Sequence, residues 1–379
     1  MKLNRSLLIA SFIAACLPAC SWFSSSNPHP IPELKQVAGL KMISPRWRVS
    51  LGGDDIVPLS PAVSQDRVYA ARGSGELYAF AAMSGSQLWK VDLRETLSSG
   101  VGAGEGFVAV GTKRGQVVVL DEDGKEKWRV SSGNSEVSAP PVISGGMVVV
   151  RTGDGHLLAL NLSDGKRRWS IERSLPSLTL YRASSAVAVR GALFAGYPGG
   201  KLLAIAMDQG KVGWESAVAV PRGATELERV ADVTGAPQVG DRNICAATYQ
   251  GRVACFEIAN GNPIWSREAS SVSGLGADTT RVYVADDKGI VNAWERTSGS
   301  PAWKNEDFAG RRLVGASAAA GQVIVTDFQG YVHWLDRIDG KVIARASTDD
   351  SSAVQAPVFL GDGVLVQTRK GGLYAFPMP

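Results

Sequence analysis

Apolar residues in this chain fall in short blocks, for example 117–120, 147–150, 157–160 and 202–205, separated by turns rich in Gly, Asp, Asn and Ser. Blocks this short, with no helical period, predict strands. Because several are apolar at successive positions, those strands are expected to be covered on both faces. The pattern recurs with a register. A turn glycine opens the unit, an apolar block follows, and a second glycine is followed four residues later by Trp. The glycine and tryptophan pairs are Gly85/Trp89, Gly124/Trp128, Gly165/Trp169, Gly210/Trp214, Gly261/Trp265 and Gly299/Trp303, while Gly340 is followed by Ala344. The opening glycines are Gly75, Gly115, Gly155, Gly200, Gly251, Gly289 and Gly330.

Each period of about 42 residues reads as four antiparallel strands, the signature of a β-propeller blade. In the third unit these are expected at 139–143, 147–151, 157–160 and 168–171. Seven units end at the Trp positions from 89 to 344, and the residues from 356 to 376 supply three more strands without a fourth. Trp47 stands alone near the N-terminus. Its strand is expected to complete the eighth blade and close the ring, which removes the free sheet edges of an open array. The expected fold is all-β, an eight-bladed propeller of four-stranded antiparallel blades over residues 46–379. The repeat Trp is expected to dock between blades, and its loss at Ala344 to cost local packing.

Composition narrows this further. A chain of 379 residues with 43 Gly and 45% hydrophobic residues suits one large all-β domain. The first residues are a separate matter: Lys2 and Arg5 precede an apolar run at 7–17 that is too short to span a bilayer, as in an export signal. The run ends in Leu17-Pro-Ala-Cys20, which resembles the lipobox of bacterial lipoproteins. The resemblance implies a signal peptide over 1–19, lipidation at Cys20 and, with Ser21 following, sorting to the outer membrane. An ordinary cleavage site with an incidental cysteine is the other reading. Residues 20–45, with Pro28, Pro30 and Pro32, read as a flexible tether.

Of 40 Lys and Arg, two lie in the leader, leaving 38 against 36 Asp and Glu. No basic block marks a nucleic-acid footprint. Once Cys16 is removed and Cys20 lipidated, Cys245 and Cys255 remain, placed symmetrically about the turn at 249–251. They can close a disulfide or stay as two small buried thiols, in either case a structural role.

Candidate function lies where the period breaks. From Trp to the next opening glycine the chain usually takes 24 to 28 residues, but Trp169 to Gly200 takes 31 and Trp214 to Gly251 takes 37. Both are connections between blades and emerge on one face from neighbouring blades, so they are expected to form one surface. Leu178, Leu180 and Tyr181 offer apolar anchors, with Arg182, Arg222, Glu226, Arg229 and Asp232 around them, a mixture suited to protein recognition.

The repeats, as in Leu77-Tyr-Ala-Phe80 with Gly85 and Trp89, resemble the PQQ-type repeat of quinoprotein dehydrogenases and their non-enzymatic relatives. Together with the lipobox, Pro176-Ser-Leu-Thr-Leu180 and Thr225-Glu-Leu-Glu-Arg-Val-Ala-Asp232, the chain resembles the BamB family, lipoproteins of the outer-membrane β-barrel assembly machinery. That resemblance implies a non-catalytic scaffold on the periplasmic face of the outer membrane, binding the periplasmic POTRA domains of BamA and assisting nascent outer-membrane proteins. Leu178 and Leu180 match the family's leucines and Asp232 one of its two acids. Tyr181 stands where the family has Arg, with Arg182 one place later, and Thr234 stands at the second acid. The competing reading is a periplasmic PQQ-dependent dehydrogenase or a ligand-binding propeller lipoprotein. Quinone enzymes carry an adjacent Cys pair and clustered Glu, Asn and Asp ligands, which this sequence lacks, so no cofactor and no catalytic or metal-ligating residues are expected.

Overall fold

The apolar blocks become the middle strands of eight four-stranded antiparallel sheets. The structure, a computed structural model, describes residues 31–53, 59–181 and 184–379. The leader and Cys20 lie outside the described residues. In the third blade the strands are Val142–Ser144, Met147–Arg151, His156–Asn161 and Arg167–Glu172. The first begins three residues later than expected, because Pro140 and Pro141 have no N–H to give a ladder. In the eighth blade Trp47–Ser50 pairs antiparallel with Gly372–Pro377, followed by Gly363–Gln367 and Val358–Phe359. The N-terminal strand therefore closes the ring.

First strands of neighbouring blades lie against one another around the axis. Hydroxyl groups stitch them together: Ser98 Oγ donates to Val137 O at 2.8 Å, Thr234 Oγ1 to Ser271 O at 2.8 Å, and Ser273 Oγ accepts from Gly315 N at 2.7 Å. The third strands have four buried residues in succession, as in 77–80, 117–120 and 157–160, since each sheet is covered by a neighbour on either side.

The Gly and Trp register has one geometric cause. Each signature indole lies flat on the signature glycine of the next blade, and its Nε1 donates to a backbone carbonyl there. Trp47 donates to Ala82 O, Trp89 to Glu122 O, Trp128 to Leu162 O, Trp169 to Met207 O, Trp214 to Ile258 O, Trp265 to Arg296 O and Trp303 to Arg337 O, at 2.7–3.0 Å. A Cβ on Gly85 would stand 2.6 Å from Trp47 Cδ2, and one on Gly299 2.5 Å from Trp265 Cδ2, so only glycine admits the indole. Both also have positive φ, 69° and 68°.

Ala344 departs from expectation for a reason visible in the topology. The third strand of blade 8 is the C-terminal strand, and Trp47 comes from the other end of the chain, so no glycine turn joins them. An indole at 344 would have no glycine to lie on. Ala344 is instead fully buried beside Trp334, with Ile43, Ile343 and Met378 packed against the same cluster.

The expected tether also ends earlier than residue 45. The folded unit begins at Leu34. Lys41–Met42 pairs in parallel with the fourth strand of blade 7, Val342–Ser347, and Ile43 N donates to Arg345 O at 2.8 Å. Val37 and Leu40 pack on the core between blades 6 and 7, and Lys35 Nζ meets Asp307 at 2.6 Å. Arg46 then forks onto Asp362 at 2.9 and 2.7 Å. Within fourteen residues the chain thus touches blades 7, 8 and 1. Under this segment, Arg345 reaches both Lys35 O and His333 Nδ1, while His333 Nε2 faces Asp327 at 3.2 Å. Burial pushes the His333 imidazole below its usual pKa. Cys245 and Cys255 are directly opposite on neighbouring strands of blade 5 and are disulfide-bonded.

The interlock is tested by comparing two glycines of similar backbone geometry. Gly321 has φ 78° with nothing near its absent Cβ, whereas Gly299 meets the Trp265 indole. Gly321→Ala should cost about 1–2 kcal/mol from the left-handed backbone alone. Gly299→Ala should cost about 1–3 kcal/mol more through overpacking, read as the difference in chemical-denaturation midpoints.

Candidate docking face on the two long connections

The two long connections meet over blades 3 to 5, on the face that also carries the turns between second and third strands. A buried carboxylate joins them. Asp232 is only 5% exposed, and its Oδ2 accepts from Leu180 N at 2.6 Å while its Oδ1 accepts from Gly199 N at 3.1 Å. Asp232 therefore binds the loop at 173–181 to the turn of blade 4 and does not itself present a surface charge. A second bridge lies outside it, where Ser177 Oγ donates to Glu226 Oε2 at 3.0 Å.

The second connection is shaped by a reciprocal cap. Glu228 N donates to Thr225 Oγ1 at 3.3 Å, and Glu228 Oε2 accepts from Ala224 N and Thr225 N at 2.8 and 3.1 Å. This is a capping box on a single helical turn, continued by Arg229 N to Thr225 O at 3.2 Å. Those two amides hold the Glu228 carboxyl below the usual range. Arg229 is turned inward along its own loop, with Nε on Gly223 O at 3.0 Å and Nη1 3.5 Å from Glu226. Val230 and Ala231 are buried under the turn.

With the loops so fixed, Leu178 and Tyr181 stand 43% and 59% exposed, and Leu180 is half-buried between them. Arg182 lies outside the described residues. Glu226 and Arg229 are exposed beside them. Three further apolar side chains share this face and were not singled out from sequence: Leu227, Val220 and Val272, all more than half exposed. Leu227 was legible in principle, since the Thr225-x-x-Glu228 cap predicts a turn that leaves the residue before Glu228 outward.

Leu180 and Tyr181 form a ridge between two cavities. On the axial side is the mouth of the central channel, a cavity of about 420 Å³ edged by Leu59, Val272, Val354 and several serine hydroxyls. On the outer side is a crevice of about 290 Å³ with Arg151 and Asp232 in its wall. Arg151 ends the second strand of blade 3 and is 6% exposed, a residue that sequence reasoning passed over because it closes an apolar strand. Among the described residues no group of three or more His, Cys, Asp and Glu is placed to hold a metal ion.

Comparison with known proteins agrees with this architecture. The family described as "Outer membrane protein assembly factor BamB" matches residues 44–98 and 73–305. The BamB assembly factor of Bordetella pertussis is 41% identical over 359 residues, covering 94% of this chain and 93% of its own. The chain belongs to the BamB family. The crystal structure of BamB from Moraxella catarrhalis superposes with a TM-score of 0.82 at 25% identity, over 89% of this chain and all of that one. The quinohemoprotein alcohol dehydrogenase of Comamonas testosteroni has a TM-score of 0.70 at 15% identity, over 90% of this chain and 77% of that one, a likeness of fold alone. As a member of a family of assembly factors the chain is not an enzyme.

Asp232→Ala should leave the Leu180 and Gly199 amides without their acceptor and cost about 1–3 kcal/mol. Thermal unfolding checks the loss, and hydrogen exchange at the Leu180 amide should quicken in the folded variant.

Proposed function

We propose that this chain is a non-catalytic scaffold of outer-membrane protein assembly, held by a lipidated Cys20 on the periplasmic face of the outer membrane. Its two long connections bind the periplasmic POTRA domains of BamA, and the complex supports folding and insertion of β-barrel proteins. Family membership supports the assembly role. The observation that carries the docking site is the apolar group of Leu178, Tyr181 and Leu227, exposed beside the half-buried Leu180 on loops that Asp232 and the Thr225–Glu228 cap hold rigid.

Apolar anchors on preorganised loops suit tight protein recognition, because little loop entropy is lost on binding. Glu226 and Arg229, already paired with each other, frame that group as a polar rim. Strand addition by nascent clients at a blade edge is a separate contribution. It is not available at the fourth strand of blade 7 where Lys41–Met42 already pairs.

Titration calorimetry of the soluble domain with the BamA periplasmic region tests the docking site. Leu178→Ala/Leu180→Ala should weaken binding by roughly 1–3 kcal/mol per leucine with an unchanged unfolding temperature. Unchanged affinity would move the interface to another part of the ring.

A further inference from the structure

The crevice beside the Leu180 and Tyr181 ridge holds a buried cation that no carboxylate of the described residues contacts directly. Arg151 is 6% exposed, and among the described residues it makes no ion pair. Its Nη1 donates to Gly196 O at 2.5 Å, and its guanidinium stacks on the Tyr197 ring with Cζ 4.1 Å from the centroid. Guanidinium has five N–H groups, and among the described residues the Gly196 carbonyl is the one acceptor that meets them. The Arg151 side chain borders the crevice. Asp232 lies in the same wall, where its charge favours the Arg151 cation through space while its two oxygens accept from the Leu180 and Gly199 amides. Stacking and the Gly196 bond fix the plane of the guanidinium, so its free donors are preorganised. A buried charge left unpaired is costly, and a ligand that supplies the missing acceptors recovers that cost.

We propose that this crevice is a carboxylate-binding subsite of the docking face, in which an acidic side chain of the partner protein is received by the Arg151 fork. The inference rests on the docking reading above and adds the chemistry of the partner's anchor. The planar fork matches a carboxylate with two parallel hydrogen bonds. Leu175, Leu180 and Pro198 give the wall apolar stretches that suit the methylenes of an Asp or Glu side chain, beside the hydroxyls of Ser138, Thr152, Thr179 and Ser184. Glu136 at the rim and Asp232 in the wall repel any anion, a doubly charged phosphate more than a singly charged side chain. An acid docked here would sit on the outer side of the same ridge whose Leu178 and Tyr181 contact the partner's apolar surface.

The test is calorimetry of the soluble domain with the BamA periplasmic region, using wild type, Arg151→Gln, Arg151→Lys, Glu136→Gln and Leu178→Ala/Leu180→Ala, each checked by its unfolding temperature. Arg151→Gln should weaken binding roughly tenfold or more, with Arg151→Lys recovering part of it. Glu136→Gln, which removes a repelling charge at the rim, should tighten binding severalfold, and the salt dependence should shrink in Arg151→Gln. If the leucine pair abolishes binding while Arg151→Gln and Glu136→Gln leave it unchanged, the subsite is wrong and the docking reading stands. Where Arg151→Gln does not fold, Glu136→Gln alone decides, and unchanged affinity overturns the proposal. Absence of wild-type binding overturns both.

Discussion

The stacking of a tryptophan of one blade on a glycine of the next is the contact on which the rest of the molecule depends. It joins sheets that share no ladder hydrogen bonds in their outer strands, and it does so with two components, a flat apolar contact and an indole N–H to a buried carbonyl. Both components need the glycine, because a Cβ would occupy the space of the indole and the turn is left-handed. Seven such contacts run round the ring, from Trp47 on Gly85 to Trp303 on Gly340. The eighth junction is made differently, since the chain ends meet there. The N-terminal segment supplies Ile43, Arg46 and Trp47 in succession to blades 7, 8 and 1.

A ring fixed from within leaves its connections free to vary. Most of them are short, and the two long ones over blades 3 to 5 use backbone-directed carboxylates, one buried and one exposed, to become rigid in their turn. Asp232 and Glu228 serve this end, each carboxylate accepting from two amides. The outcome is a surface in which leucines and a tyrosine face water on a fixed support, an arrangement suited to a partner and of no benefit to the isolated domain. The channel mouth and the Arg151 crevice on either side of the Leu180 ridge give that surface relief.

The architecture was largely legible because the interlock imposes identity on two positions per blade, and the orphan Trp47 announced how the ring closes. The first strands were less legible. They are two or three residues long in most blades, and Pro140 and Pro141 displace one of them. Ala344 was misread as a defect because the missing glycine on its neighbour is a fact of topology, not of the local sequence. The site was legible as a surface and not as a set of roles. Loop length pointed to Leu178, Leu180 and Tyr181, but nothing in the sequence distinguishes an acid that faces solvent from one, like Asp232, that accepts from amides 52 and 33 residues away. Arg151 lay hidden at the end of an apolar strand.

In the proposed docking mode, a rigid ring presents the connections of blades 3 to 5 to a partner protein. Hydrogen–deuterium exchange of the soluble domain, alone and with the BamA periplasmic region, tests it most directly. Added protection is expected at residues 173–181 and 218–232, with the Trp-bearing strands equally slow in both states. Protection confined to the opposite face or to the outer strands, with those two connections unchanged, would contradict it.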